Sequence, residues 1–337
     1  MAANVREKGT IPYYGANGFQ DYVKGFTHNG EFILIAEDGA NDLKNYPVKY
    51  VNGLFWANNH VHVIQGKKEI CDNKYLKYCF SKTNIEALLV GGGRAKLNAN
   101  IMMGIDLKLP QLDEQSRIGK MFYEIDNLIT LHQRKYDKLV SMKKSMLEKM
   151  FPKHSEKIPE VRFKGFTDDW EQRKLTDFVE FYSGQTYSPL NVQENGTLVL
   201  RSSNVQNGEI SKDDSVFIDS SVVNTNNVKM GDIIVVVRNG SRNLIGKHAQ
   251  IKEKMPNTVI GAFMTGIRTN NSNFVNSLLN TPIFDNEINK NMGATINQIT
   301  GYMFSNMEFK IPTSDEQNKI GKMFSNIDNL ITLHQRN

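Results

Sequence analysis

The most regular hydrophobic pattern of the chain lies between residues 118 and 150. Apolar positions recur there at alternating steps of four and three, which is typical of a helix that pairs with another helix. Asp113 can cap the start of this helix, and Pro152 bars its continuation. A helix from Asp113 to Met150 would be about 57 Å long, which favours a paired rod over a helix lying on a sheet. The predicted seam consists of Ile118, Phe122, Ile125, Ile129, His132, Tyr136, Leu139, Met146 and Met150, with Lys143 as its one polar interruption.

The helical segment occurs twice. Residues 109–135 and 311–337 match at 19 of 27 positions when they are aligned at an offset of 202. A proline near the start of each segment bars helix upstream, so both helices should begin at the same point. We therefore predict one spacer helix over 111–152 and a shorter one over 313–337, each the partner of the other. The seam of the second copy consists of Ile320, Phe324, Ile327, Ile331 and His334.

A weaker repeat precedes each helix. Residues 30–39 read GEFILIAEDG and residues 231–240 read GDIIVVVRNG, and each pattern predicts a short apolar strand followed by a turn. A polar stretch with glycines then follows in each half, at 91–100 and at 293–301. The order predicts an α+β fold in which two mixed α/β domains alternate with the two helices.

The predicted domain boundaries follow from this order. The first domain covers 1–110 and the second covers 161–312, with a linker at 153–160. The halves are unequal, because the counterpart of Trp170 at the repeat offset would fall before residue 1. The first half is therefore expected to lack about forty residues of its repeat.

Composition and charge narrow the classes of protein. The chain has 337 residues, of which 39% are hydrophobic and 23% charged, as in ordinary soluble proteins. It has no apolar run of membrane-spanning length and no signal-peptide pattern, so we predict a cytoplasmic protein without a membrane partner. The net charge of +5 lies on residues 116–153, which hold nine basic and four acidic residues. That excess suits either an acidic partner or a solvated helix face.

Two polar tips of the second domain carry the chemistry of base recognition. Each follows an apolar strand, at residues 201–204 and at residues 238–242. Arginine pairs with guanine, asparagine pairs with adenine, and serine contacts bases or phosphates. The alternative is a pair of hairpin turns with solvated arginines, which the Asn-Gly dipeptide alone favours. The candidate contacts are Arg201, Ser202, Ser203, Asn204, Arg238, Asn239, Ser241, Arg242 and Lys247.

The polar stretches before the helices supply further candidates. Runs flanked by glycine suit close approach to a phosphate backbone, although an ordinary exposed loop explains any single residue equally well. The candidates are Thr295, Asn297 and Gln298 in the second half and Arg94, Lys96 and Asn98 in the first. Weaker candidates in the first domain are Tyr13, Tyr14 and Asn17, whose surroundings also read as a simple turn.

The sequence contains no pattern of catalytic or cofactor-binding residues. It has no phosphate-binding glycine-lysine motif, no dinucleotide-binding glycine turn and no metal-ligand spacing. His132 and His334 fall on the helix seams, where a histidine is more often a register element than a ligand. We therefore predict no catalytic residue, no metal and no cofactor.

The combination of two variable domains with a nearly identical helix after each resembles the specificity subunit of type I restriction-modification systems. The residues that carry the resemblance are VRFKGFTDDWEQRKL, which opens a repeat, and the helix motif DEQ-x-x-IGK-x-F with IDNLITLHQR, which closes it. The short second helix and the incomplete first half depart from the family pattern.

This resemblance implies a function. In the family, two target-recognition domains each read one half of a split site in double-stranded DNA. The helices form an antiparallel coiled coil that spaces the domains and docks methyltransferase (modification) subunits, and a restriction (endonuclease and translocase) subunit joins that assembly. The resemblance favours base contacts over solvated turns at the two tips. The alternative function is a truncated coiled-coil scaffold that does not read DNA by itself.

Overall fold

The computed structural model describes residues 3–92, 95–153, 155–292 and 297–335. The chain divides into two compact units, Met1–Leu131 and His132–Asn337. Both combine sheets and helices, which confirms the predicted α+β fold. No helix within the described ranges is both long enough and apolar enough to cross a membrane.

One mixed sheet forms the centre of the first unit. Its five strands lie in the order β2-β1-β4-β3-β5, with β1 and β4 parallel and the other neighbours antiparallel. Ile33 and Ile35 of β3 face one apolar cluster and Leu34 faces another, so both faces of this strand are covered. The strands are β1 (Lys8–Gly15), β2 (Gly18–Val23), β3 (His28–Ala36), β4 (Val48–Ala57) and β5 (Val61–Ile64).

Two short helices and the start of a long one complete the first unit. They are α1 (Asn73–Lys82), α2 (Ala99–Met103) and α3 (Leu112–Lys149), the last of which continues into the second unit. Helix α3 packs closely on α1, because a Cβ atom at Gly119 would lie only 2.6 Å from the backbone nitrogen of Tyr75. Buried Gln115 accepts a hydrogen bond from the backbone of Asp72, which caps α1.

The second unit contains two four-stranded sheets and two small strand pairs. The sheets have the orders β15-β9-β12-β8 and β14-β13-β16-β7, and the pairs are β10-β11 and β17-β6. The strands are β6 (Glu171–Lys174), β7 (Glu180–Ser183), β8 (Val192–Gln193), β9 (Thr197–Leu200), β10 (Val205–Gln206), β11 (Glu209–Ile210), β12 (Val216–Ile218), β13 (Ile233–Val236), β14 (His248–Gln250), β15 (Thr258–Ile260), β16 (Met264–Arg268) and β17 (Glu308–Ile311).

Helices pack around these sheets and enclose the larger core. They are α4 (Ser272–Leu279), α5 (Pro282–Asn291), α6 (Gly301–Ser305) and α7 (Ser314–Gln335). Gly321 of α7 contacts α4 as Gly119 contacts α1, since a Cβ atom there would lie 2.7 Å from the Phe274 nitrogen. The four residues of β13 are all buried in the core that these helices cover.

The later part of α3 pairs with α7 in an antiparallel direction. The Nδ1 atoms of His132 and His334 lie 3.0 Å apart, and Lys143 forms an ion pair of 2.6 Å with Asp328. Residue numbers therefore rise along α3 as they fall along α7. Ile320, Phe324 and Ile327 of the α7 seam are buried.

The early part of the α3 seam differs from the prediction. Phe122, Ile125 and Ile129 are exposed, although their sequence matches the buried seam of α7. The antiparallel pairing begins at His132 and His334, because α7 ends at Gln335, so the residues of α3 that pack on α7 are those after His132. A heptad pattern marks a face that can be buried, and burial itself depends on what else packs there.

Candidate nucleic-acid interface

The first tip of the second unit follows β9, and hydrogen bonds of Asn204 close its turn. The Asn204 side-chain oxygen accepts a hydrogen bond of 2.8 Å from the Arg201 nitrogen, and its amide donates to the carbonyls of Ser211 and Asp214. Asn204 is buried, because it closes this turn from inside. The expectation that Asn204 contacts a base is therefore corrected, while Ser202 and Ser203 remain accessible at the same turn.

The second tip follows β13 and returns to β14 as a hairpin. The backbone nitrogens of Val237 and Arg238 donate to the carbonyl of Phe263 at 3.0 and 3.2 Å. The guanidinium carbon of Arg238 lies 5.1 Å from the centre of the Phe263 ring. Ser241 and Arg242 are exposed farther along the hairpin, and half-buried Lys247 lies at its base.

The two tips and the polar stretch before α6 meet at one surface. Asn239 donates a hydrogen bond of 3.1 Å to the hydroxyl of Ser202, and Asn297 donates one of 3.0 Å to the Gly240 carbonyl. Arg238 and Gln298 form an antiparallel bridge. We name this surface the tip cluster, defined by Ser202, Arg238, Asn239, Asn297 and Gln298. Thr295 of the same stretch lies outside the described residues.

A cleft of about 510 Å³ opens beside the tip cluster. Arg201 lines it and is oriented by an ion pair of 2.7 Å with Asp214, so its guanidinium is already partly neutralised. Phe263 lines the same cleft and is 54% exposed. Sequence reasoning missed Phe263, because a single aromatic residue between two apolar strands reads as part of the core. Its neighbour Arg238 and its exposure make it a candidate stacking platform for a base.

The first unit contains a backbone hydrogen bond equivalent to one in the second unit, but the side chains beside it are different. The Leu97 nitrogen donates to the Glu37 carbonyl at 2.8 Å, as the Ile299 nitrogen donates to the Val237 carbonyl at 2.8 Å. Lys96 forms an ion pair of 2.6 Å with Glu37. The side-chain hydrogen bond between these two residues raises the pKa of Lys96.

The backbones of Asp38 and Lys96 form an antiparallel bridge in the first unit. The bridge between Arg238 and Gln298 lies at the equivalent place in the second unit. The Nδ1 atom of His60 lies 2.6 Å from the Asp38 carboxylate. Asn98 occupies the N-cap position of α2, but its side chain makes no capping hydrogen bond, and Arg94 lies outside the described residues. The two units therefore present unlike surfaces at equivalent places.

The weaker candidates of the first unit serve mainly to hold its own structure. Tyr13 is buried under the Arg6 guanidinium, 4.2 Å from the ring centre, which corrects the expectation that it contacts DNA. Tyr14 packs edge-on against Phe55, and burial raises the pKa of its phenol. The amide of Asn17 joins two loops through hydrogen bonds with Gly39 and Asn41.

Each of the two units combines sheets, polar loops and a long helix. These features define a class of α+β protein. The family model of the type I restriction modification DNA specificity domain matches residues 2–140 and 167–337, and thus both halves of the chain. The chain belongs to this family. The resemblance found in the sequence is confirmed.

Individual relatives agree with this assignment. The chain is 46% identical over 121 residues to a putative type I restriction enzyme specificity subunit of Haemophilus influenzae, covering 36% of this chain and 31% of that protein. It is 26% identical over 321 residues to the type I restriction enzyme MjaVIII specificity subunit of Methanocaldococcus jannaschii, covering 91% and 75%. The chain therefore spans less than a third of the first relative and three quarters of the second.

A solved structure shares the fold. The crystal structure of the type I restriction-modification system S subunit from M. genitalium superposes with a TM-score of 0.64 at 14% sequence identity. The superposition covers 100% of this chain and 87% of that chain.

Proposed function

We propose that the chain is a DNA-binding specificity subunit that reads a bipartite site, one half with each unit, and has no catalytic activity of its own. The observation that carries this proposal is the tip cluster, where three separate segments of the second unit converge. Its guanidinium, amide and hydroxyl groups are the side-chain groups that read base edges in the major groove.

Contacts within and beside the tip cluster hold its side chains in a fixed geometry. The hydrogen bond between Asn239 and Ser202 couples the two tips, and the Phe263 ring supports the guanidinium of Arg238. Side chains held by such contacts lose less conformational entropy when they bind. The first unit has Asp38, His60 and Lys96 at the equivalent place, which supports a different base preference for its half of the site.

We further propose that both helices dock methyltransferase subunits, which a restriction subunit then joins. Leu128 and Leu131 of α3 are exposed, and so are their repeat counterparts Leu330 and Leu333 of α7. An apolar pair exposed at the same place in both copies suits two equivalent partner subunits. The basic excess of residues 116–153 lies on the same long helix.

Replacement of Arg238 tests the DNA-reading proposal. Arg238→Ala should weaken binding to the preferred site by about 1–3 kcal/mol if the guanidinium reads a base, and it should relax the preference at one half-site only. Arg173→Ala is the matched control, because Arg173 is an exposed arginine of β6 whose pairing with Glu171 is local. The measurement is selection from a random DNA library at fixed salt concentration, with the chain in complex with its methyltransferase subunit.

Three outcomes are informative. Relaxed preference in Arg238→Ala and unchanged preference in Arg173→Ala support base reading. Equal weakening of binding to all DNA sequences, with a smaller salt dependence of binding, would mean that Arg238 contacts a phosphate and does not read a base. A wild-type complex without sequence preference would favour the scaffold alternative.

A further inference from the structure

An exposed aromatic ring lies beside the tip cluster of the second unit. Phe263 is 54% exposed and belongs to the turn 261–263, which joins β15 to β16. Ala262 is exposed in the same turn, and both residues line the cleft beside the tip cluster. The side chains of the tip cluster carry hydrogen-bonding groups, whereas those of Ala262 and Phe263 carry none. The turn therefore adds a small apolar patch to a polar surface.

Backbone hydrogen bonds connect this turn to two neighbouring segments. The Gly261 nitrogen donates to the Leu200 carbonyl, and the Met264 nitrogen donates to the Gly261 carbonyl, each at 2.8 Å. The Phe263 carbonyl accepts hydrogen bonds from the first two backbone nitrogens after β13. Met264, the next residue, is 1% exposed. The ring is therefore open to solvent, although the backbone on both sides of it is bound within the unit.

The first unit has a different pair of side chains at the equivalent place. The His60 carbonyl accepts a hydrogen bond of 2.9 Å from the Glu37 nitrogen, as the Phe263 carbonyl accepts one of 3.0 Å from the first nitrogen after β13. His60 thus corresponds to Phe263, and Asp38 corresponds to Arg238. The first pair is polar, because the Nδ1 atom of His60 lies 2.6 Å from the Asp38 carboxylate. The same backbone arrangement carries an apolar ring in the second unit only.

The spacing of the second pair matches neighbouring base pairs. The guanidinium carbon of Arg238 lies 5.1 Å from the centre of the Phe263 ring. Successive base pairs are about 3.4 Å apart along each strand of DNA. When the guanidinium reads the edge of one base pair, the ring beside it is therefore close enough to contact the edge of the next.

The chemistry of the ring selects one base edge in the major groove. Guanine, cytosine and adenine present hydrogen-bond donors and acceptors there, whereas thymine also presents an apolar C5 methyl group. A phenyl ring cannot replace the hydrogen bonds that water makes to a polar edge, so contact with such an edge is unfavourable. Contact with a methyl group removes apolar surface from water on both sides. An exposed ring at this place therefore favours thymine.

We propose that Phe263 is a specificity-determining residue, which recognises the C5 methyl group of a thymine in the half-site of the second unit. This thymine belongs to the base pair next to the guanine that Arg238 reads, and Ala262 extends the apolar contact. The proposal rests on the proposed function, because it requires Arg238 to read a base in the major groove. The polar pair of Asp38 and His60 gives the half-site of the first unit no such contact.

Synthetic DNA duplexes that differ in a single methyl group test the proposal. The full chain, in complex with its methyltransferase subunit, first selects its preferred site from a random library. The guanine that Arg238 reads is the one whose requirement is lost in Arg238→Ala, and we expect a thymine in an adjacent base pair. Uracil in place of this thymine should weaken binding about fourfold, since one buried methyl-sized group is lost. At the same position, 5-methylcytosine should bind more tightly than cytosine.

Matched variants separate contact with the methyl group from support of Arg238. In Phe263→Ala the thymine and uracil duplexes should bind equally, because the apolar partner of the methyl group is gone. A ring that only supported Arg238 would leave the ratio of these two affinities unchanged in this variant. Met230→Ala is the control, since Met230 is 63% exposed before β13, at the end opposite to Arg238, and it should keep the difference. Uracil in the other half-site should have the same effect in Phe263→Ala as in the wild type.

Several results would overturn this proposal and leave the proposed function intact. One is a selected half-site without a thymine beside the guanine that Arg238 reads. Another is equal binding of the thymine and uracil duplexes by the wild-type complex. A difference between these duplexes that persists in Phe263→Ala would assign the methyl contact to another residue. A complex without any sequence preference would overturn both this proposal and the proposed function.

Discussion

The ion pair between Arg162 and Glu316 holds the segment that follows the linker against the start of α7 and provides a quantitative test of the packing in the second unit. Both hydrogen bonds of the fork measure 2.8 Å, and the carboxylate is 1% exposed. Arg162→Met leaves this carboxylate buried without its partner, so the free energy of unfolding of the second unit should fall by about 3–5 kcal/mol. The double variant Arg162→Met, Glu316→Leu removes both charges and should recover most of that loss.

The chain contains its own control and its own reporter for this measurement. Glu114→Gln changes the equivalent but exposed carboxylate and should cost less than about 1 kcal/mol, mainly through the helix dipole. Trp170 is buried beside Phe151, at a ring distance of 5.8 Å, and reports on the second unit in a Trp56→Phe background. The assay is urea unfolding, followed by Trp170 fluorescence for the variants of the second unit and by Trp56 fluorescence, without the Trp56→Phe change, for Glu114→Gln in the first unit. A loss in Arg162→Met no greater than that in Glu114→Gln, or a double variant as unstable as the single one, would refute this reasoning.

Two further predictions concern the second unit and its repeat counterpart. Burial lowers the pKa of His248 to about 4, whereas an unfolded histidine titrates near its ordinary value of 6.5. The unfolded chain therefore binds the extra proton between these values, and the stability from His248 is fully present above about pH 6.5 and falls by about 3 kcal/mol as the pH drops to 4. Unfolding free energies at pH 7 and pH 5 should differ less in His248→Gln than in the wild type, and an equal difference would contradict this origin. Gly321→Ala places a Cβ atom 2.7 Å from the Phe274 nitrogen and should destabilise the second unit by about 1–3 kcal/mol. Gly119→Ala should do the same to the first unit, reported by Trp56, and unchanged unfolding of either unit would show that the helix contact can relax.

The helices were predictable from sequence because their signals are local. The predicted span Asp113–Met150 differs by one residue at each end from the observed Leu112–Lys149. Prolines and capping residues act on adjacent backbone, so they mark the boundaries directly. The repeat likewise predicted two similar strand-and-turn units, which the structure contains.

The roles of single polar residues were less predictable. Asn204 has the side chain of a base-reading residue, but asparagine is equally suited to close a turn, and it does so here. Tyr13 and Tyr14 are adjacent on a strand, so they point to opposite faces, and only the fold determines which of the two is covered. Phe263 became a candidate only when the structure placed it beneath Arg238.

The unequal burial of the two seams could not be read from the helices themselves. Phe122 and Phe324 lie in identical local sequences, yet only Phe324 is covered. The cover includes Phe151, which lies outside the repeated segment. Burial is a property of distant packing, whereas the heptad pattern is a property of one helix.

The measurement that tests the central proposal most directly is methylome sequencing of cells that express this chain with its methyltransferase subunit. We expect methylation at a split sequence motif that is absent from cells lacking the chain. Exchange of the tip cluster residues Arg238 and Asn239 for alanine should change the bases required in one half of the motif and leave the other half as it was. Loss or alteration of both halves together, or a methylation pattern that does not depend on this chain, would contradict the assignment of one half-site to each unit.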